Sequence, residues 1–352
     1  MSEQASSESV QQSHLVIRAV LRTDVGLVRS ENQDFGTYTT AEEEKESHPG
    51  GRLLIVADGM GGHRGGATAS RLAAETVKAQ YLGSETQDIP AALKESLIRA
   101  NARIFSEAQS NPELRGMGTT TSVLAVRDAQ GWLAHVGDSR IYLVRGDEIR
   151  QLTDDHSLVA TMVREGLLTS AEAENHPRRN VLQRSMGVAE EVEVDVRGPI
   201  EIQPGDTFIL CSDGLHGLVK ENELKEIARK PIEAAADEYL RKALERGAPD
   251  NVTVIVARVE DAEAGETTLV ERLDETQPLE VIDETLKITV PLPAVAAKKD
   301  EVSASPAGRV EARPASSPVM KWILILVLAA GAAGVWVYWN YQQAIAKESR
   351  SR

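Results

Sequence analysis

The feature that most constrains this chain is a carboxylate set where an apolar run ends. Residues 53–56 (Leu-Leu-Ile-Val) read as a buried strand; Ala57 and Asp58 follow, then a stretch holding Gly59, Gly61, Gly62, Gly65 and Gly66. An anion at the mouth of a buried strand is costly unless something positive meets it, so Asp58 either caps a backbone turn or holds a metal. Asp-Gly alone is ordinary turn chemistry. Recurrence changes the reading. A second apolar run, 207–210, leads into Cys211-Ser212-Asp213-Gly214, a third, 131–136, into Gly137-Asp138-Ser139-Arg140, and Asp250 precedes the strand-like 251–256. Four carboxylates at the ends of four predicted strands point to one shared site.

The donor set then selects the ion. Hard oxygen ligands without a His/Cys cluster suit Mg²⁺ or Mn²⁺ rather than zinc, and such ions keep several waters when a few carboxylates hold them. If Asp58, Asp213 and Asp250 converge, two ions about 3.5–4 Å apart, bridged by Asp58, acidify a shared water into a nucleophile. Gly59 has no side chain to keep its carbonyl from such an ion. Arg29 offers a bidentate fork to a phosphate, and Asn32 and Asp34 follow it closely. Cys211, the only cysteine, lies in an apolar run and reads as a buried core thiol; with no disulfide possible within the chain, a reducing compartment is expected. A net charge of −15 argues against broad nucleic-acid binding, because little is available to displace phosphate counterions.

Along the chain, the polar residues 1–13 are expected to be disordered. Residues 14–260 carry the strand and helix patterns: strands at 14–28, 35–40, 118–126, 131–136, a further one after the break at 137–138, then 147–152, 192–196, 207–211 and 252–259, and helices at 67–82, 90–110, 222–229 and 231–245. The polar stretch 155–187 looks like an excursion from the sheets. From 261 to 318 the composition turns to Glu, Thr, Pro, Ala and Ser with few aromatics, which predicts an unfolded linker. A nine-residue repeat within it sets Thr267, Thr276 and Thr285 behind acidic residues, each followed three places on by Val270, Leu279 or Ile288. Chance in a Glu/Thr-rich tether is one reading; phosphothreonine sites for a phosphate-reading partner are the other. Residues 322–339 carry no charge and, at about 1.5 Å per residue, span about 27 Å, with Trp322 at one end and Trp336, Tyr338 and Trp339 at the other. This predicts one transmembrane helix over 319–340, with a short polar tail at 341–352. Flanking charges tie, so orientation rests on chemistry, which places the large domain in the cytoplasm.

Taken together, Arg29-x-x-Asn32-x-Asp34, Asp58-Gly59-Met60-Gly61-Gly62-His63, Gly118-Thr119-Thr120, Gly137-Asp138-Ser139-Arg140, Ser212-Asp213-Gly214 and Asp250-Asn251 resemble, in order, the motifs of the metal-dependent PP2C-type protein phosphatases, bacterial members above all. The resemblance implies an α+β fold, a four-layer α-β-β-α sandwich of two antiparallel sheets flanked by helices. It implies hydrolysis of phosphoserine and phosphothreonine by a metal-bound hydroxide, opposing a serine/threonine kinase at the membrane. It also implies that Asp58 bridges two Mn²⁺ or Mg²⁺ ions, that Gly59 gives its carbonyl to one, and that Asp213 and Asp250 complete the other. Asp34 orients metal waters, Asp138 with Asp213 forms a third, weaker site, and Arg29 holds the phosphate. The stretch 155–187 matches the family's flap. Animal members have Glu at the place of Gln33 and His at the place of Met60; the general-acid role then falls either to His63 or to a metal-bound water. A catalytically silent phosphoprotein-binding scaffold is the alternative, and such a member is expected to have lost Asp58, Asp213 or Asp250.

Overall fold

A computed structural model describes residues 15–40, 43, 51–62, 64–127 and 129–261. Two antiparallel sheets face each other. In one, the order is β1 (Leu15–Asp24), β11 (Val252–Asp261), β10 (Thr207–Cys211), β7 (Arg140–Arg145) and β8 (Glu148–Gln151). In the other it is β2 (Asp34–Tyr38), β3 (Arg52–Met60), β5 (Thr121–Arg127), β6 (Gln130–Val136) and β9 (Asp195–Glu201), with the two-residue β4 (Gly118–Thr119) pairing with the end of β3. The second sheet carries α1 (Arg64–Leu82) and α2 (Ile89–Ser110) on its outer face; the first carries α5 (Asp213–His216), α6 (Glu221–Ala228) and α7 (Ile232–Glu245).

Three apolar layers hold this together. Leu54, Val56, Leu124, Leu133, Phe208 and Ile255 fill the space between the sheets, so β3, β5, β10 and β11 bury both faces and read as continuous apolar runs. Ala69, Ala73 and Val77 of α1 meet Leu93, Leu97 and Ala100 of α2 against Ile55 and Val123. Ala235, Ala236, Tyr239 and Ala243 of α7 cover Ile209 and Val254. Helix α2 starts where it does because Asp88 caps the Ala91 N–H and Pro90, which has no N–H to satisfy, stands in the first turn. The helices and the central strands lie where periodicity predicts them, within a few residues.

Three expectations are corrected. Asp58 does not end its strand: β3 continues to Met60, because Gly59 and Met60 pair with Thr119 and Gly118. Only Asp138, in the turn after β6, and Asp250, just before β11, sit at strand ends; Asp213 opens α5. The strand predicted at 192–196 forms instead at Asp195–Glu201. The alternation of Val192, Val194 and Val196 reports packing against α2, whereas pairing with β6 decides where the strand is. The stretch 155–187 holds α3 (Leu158–Arg164) and α4 (Ser170–Glu174) and leaves the sheets, as predicted. Among the described residues no helix is long and apolar enough to cross a membrane. The expectations for 1–13, 262–318, 319–340 and 341–352, with Thr267, Thr276 and Thr285, lie outside the described residues, as does His63.

Candidate active site

Strand pairing brings the first two carboxylates together. Asp34 on β2 stands directly opposite Asp58 on β3, a like-charged cross-strand pair of the kind that destabilises a sheet. The Asp58 peptide is held on three sides. Its N–H donates to Thr120 Oγ1 at 3.0 Å, and its carbonyl accepts from Thr120 N–H at 2.8 Å and Thr119 Oγ1 at 2.9 Å. Gly59 next to it has no room for a side chain: a Cβ would lie 2.1 Å from Gly66 O and 2.6 Å from Gln33 O. The absence of a side chain there lets the first turn of α1 press on β3, a packing reason that spacing alone could not show.

The other sheet supplies Asp213, just after β10, and Asp250, just before β11, while Asp138 lies in the turn that joins β6 to β7. Asp34 Oδ2 accepts from Ser212 Oγ at 2.7 Å, while Asp34 Oδ1 is buried without a hydrogen-bond partner. Asn251 ties the arginine segment to the start of β11, accepting from Gln33 N–H at 2.8 Å and donating to the carbonyls of Val25 and Glu31. Arg29 Nη2 thereby reaches Asp250 Oδ2 at 2.7 Å, on a side chain still 54% exposed. The structure thus brings Arg29, Asp34, Asp58, Asp138, Asp213 and Asp250 into one electrostatic field.

That field is strained. Burial raises the Asp34, Asp58, Asp138 and Asp213 carboxyls well above the usual carboxylate range, and neighbouring aspartates raise them further. Asp58 stands close enough to hydrogen-bond to Asp213, which an uncompensated pair manages only by sharing a proton. Hydroxyls of Ser212 and Thr253 offset the cost at Asp34 in part, and Arg140 does so at Asp138. A buried, unpartnered carboxylate oxygen within an all-oxygen donor set fits Mg²⁺ or Mn²⁺. The acids do not form a closed cage: no group of three His, Cys, Asp or Glu side chains among the described residues is arranged as a ready ligand cluster. An ion that keeps several waters does not need one.

This predicts how the metal-free protein responds to pH. Folded-state pKa values raised above the unfolded value of about 4 mean that the native state binds more protons, so stability is full below about pH 4 and falls as pH rises through the raised values. In EDTA, thermal unfolding should move down between about pH 7 and pH 8, above the range in which the buried histidines act in the opposite sense, by at most about 1.4 kcal/mol per pH unit for each carboxyl involved. Saturating Mn²⁺ should flatten the curve. A melting temperature that rises over that range in EDTA would contradict the assignment.

Cys211 is fully buried, and burial pushes its thiol up to about 12, so it is no nucleophile. Spacing missed a second set of residues. Arg140 grips Asp155 through Nε–Oδ1 at 2.9 Å and Nη2–Oδ2 at 2.7 Å, and donates to Tyr142 Oη at 2.9 Å. His135, His156 and His216 all donate to or accept from the loop that carries Asp138. Arg140 closes the Gly137-Asp138-Ser139-Arg140 motif and His156 stands at the start of the 155–187 stretch, but spacing gave neither a partner; His135 and His216 left no periodic trace.

Opposed carboxylates, one buried and one half-buried, an arginine at their rim and two sheets behind them suit a divalent cation and an anionic substrate. The chain belongs to the protein phosphatase 2C family, whose model matches residues 31–247. It is similar to the serine/threonine phosphatase stp of Listeria monocytogenes, 39% identical over 246 residues that cover 68% of this chain and 95% of that protein. It is also 37% identical over 254 residues to the serine/threonine protein phosphatase PstP of Mycobacterium tuberculosis, covering 72% of this chain and 47% of PstP. The crystal structure of PstP superposes with a TM-score of 0.62, covering 69% of this chain and 99% of that one. A structure of the PstP catalytic domain, titled as a complex with two manganese ions, superposes at 0.61, with 36% identity and 70% and 100% coverage.

Proposed function

We propose that this chain is a metal-dependent protein phosphatase that hydrolyses phosphoserine and phosphothreonine esters. The observation that carries the reading is the opposed Asp34–Asp58 pair: a buried carboxylate facing a half-buried one across a sheet, one Asp34 oxygen without a partner, with Arg29 close enough to act on Asp58. Asp58, Asp213 and Asp250, with the Gly59 carbonyl, would hold a Mn²⁺ or Mg²⁺ pair; Asp34 would orient its waters, and Asp138 with Asp213 would take a further ion. When bound, such a pair supplies an acidified water and offsets the charge of the phosphoryl group.

The protein's own part is placement. The Arg29 guanidinium is always charged and exposed, so it can turn one face to a phosphate dianion while Asp250 keeps the other. Hydroxyls of Thr119 and Thr120 fix the Asp58 backbone and the Ser212 hydroxyl holds the Asp34 carboxylate before substrate arrives, so little reorganisation remains at the reacting phosphorus. Substrates are phosphorylated proteins, a serine/threonine kinase among them. The charge-free run 322–339 and its terminal aromatics favour a single-pass anchor with the catalytic domain cytoplasmic, and the acidic threonine repeat favours docking of a phosphothreonine reader.

The test uses the full chain. Phosphothreonine-peptide hydrolysis should be absent in EDTA, appear with Mn²⁺ or Mg²⁺, and fall about tenfold or more in Arg29→Ala, chiefly through KM. A folded protein silent with either metal would overturn the reading. Alkaline carbonate should leave the chain in the membrane pellet, and Ala at Thr267, Thr276 and Thr285 should abolish capture by a phosphothreonine-binding domain after kinase treatment. A chain released by carbonate, or capture unchanged, would remove the anchor or the docking reading respectively.

A further inference from the structure

Asp138 sits in the three-residue loop between β6 and β7, and three imidazoles are spent on that loop's backbone. Gly137 N–H donates to His156 Nδ1 at 3.0 Å, while the His156 N–H returns a bond to the Gly137 carbonyl at 2.8 Å. His135 Nε2 lies 3.0 Å from that same carbonyl, and His216 Nε2 lies 2.9 Å from the carbonyl of Asp138. Carbonyls only accept, so His135 and His216 carry their proton on Nε2; His156 accepts at Nδ1, so its proton is also on Nε2, facing Asp195 Oδ2 at 3.2 Å.

The three come from three places. His135 is on β6, His156 is at the entrance to the 155–187 excursion, and His216 is on the helix that Asp213 opens. His216 therefore ties Asp138 to the element that carries Asp213, the aspartate that most strongly raises the Asp138 carboxyl after burial itself. The loop has no slack on its other side. Gly137 takes φ +115° and packs so closely on Thr120 that a Cβ would meet its side chain at 2.5 Å. Thr120 Oγ1 is the group that accepts from the Asp58 N–H. Three neutral donors and acceptors fix one loop without adding charge to a site already crowded with anions. His156 also anchors the excursion: its carbonyl accepts from Gln183 N–H at 2.8 Å, and Ser157 bridges to Leu182.

We infer that His216 and His156 are positioning residues that hold Asp138 at the separation from Asp213 required by a divalent cation shared between them, His156 linking that geometry to the 155–187 excursion. The inference rests on the metal-dependent reading of the site, and its test reads binding and not turnover.

Titrate the full chain with Mn²⁺ and follow free Mn²⁺ by electron paramagnetic resonance. Asp138→Asn identifies the Mn²⁺ class that uses this carboxylate. His216→Ala and His156→Ala should weaken that class by about 10–100-fold, the cost usual for residues that orient a ligand, and leave the tighter class in place. His216→Gln, which restores an N–H at the same reach, and His156→Asn, which restores an acceptor at the Nδ1 position, should recover most of the affinity. Only the His156 variant should also speed tryptic cleavage at the exposed Arg178 and Arg179. Should an alanine variant not fold, His216→Gln against His216→Met, equally long but without the donor, gives the same comparison.

Unchanged Mn²⁺ binding in the histidine variants, equal weakening of every class, or no difference between His216→Gln and His216→Met overturns the inference alone. A wild-type chain that binds no Mn²⁺ overturns it together with the metal reading.

Discussion

Asp58→Asn is expected to lower Mn²⁺-dependent hydrolysis of a phosphothreonine peptide by about 10³-fold or more, equivalent to about 4 kcal/mol of transition-state stabilisation. The same change should raise the stability of the metal-free protein. In the wild type Asp58 faces Asp34 across the sheet, lies within hydrogen-bonding reach of Asp213 and is raised by every other acid of the site. An amide of the same shape removes that repulsion while keeping the backbone bonds to Thr119 and Thr120. We expect a gain of about 1–3 kcal/mol in EDTA at neutral pH, read by urea unfolding. Loss of activity with loss of stability would instead mean that the substitution damages the strand and says nothing about a cation site. Residual activity within tenfold of wild type would remove Asp58 from the chemistry.

The largest expected loss of stability belongs to Arg140. Its guanidinium is bidentate to Asp155, and both side chains are mostly buried, 25% and 13% exposed. Removing the arginine strands the Asp155 carboxylate, which the Arg140 pairing now holds below the usual range against its burial. Arg140→Ala should cost about 3–5 kcal/mol in Mn²⁺-containing buffer. Arg140→Leu combined with Asp155→Leu should recover much of that, because the stranded charge disappears together with its partner. A cost below about 1 kcal/mol for the single variant would show that water reaches the pair. Asp155 begins the excursion that His156 ties to the metal loop, so the single variant should also weaken activity without touching a proposed ligand.

Legibility from sequence followed physical cause. The recurring apolar-run-then-Asp pattern was readable because burial on both faces leaves β3, β10 and β11 mostly apolar, which makes each acid beside them conspicuous. Gly59 was readable as a constraint but not for its packing cause, since the atoms that crowd it belong to Gly66 and Gln33 and come from a helix and a different strand. The start of β9 was misread because a strand's apolar alternation reports what its side chains meet, not where its hydrogen bonds begin. Arg29 was readable as a cation near a phosphate site, but its present partner, Asp250, lies 221 residues away in the chain.

The sequence by itself determined the order of the motifs, the oxygen-only donor set and hence the class of ion, and the family with its two-sheet architecture. These are properties of residue type and local spacing, which survive without coordinates. Tertiary structure alone decided that Asp34 faces Asp58, that one Asp34 oxygen has no partner, that Asp155 belongs to Arg140, and that three histidines converge on one three-residue loop. Each is a contact between segments far apart in the chain, set by strand register and by how closely helix and sheet approach, and no local pattern encodes such distances.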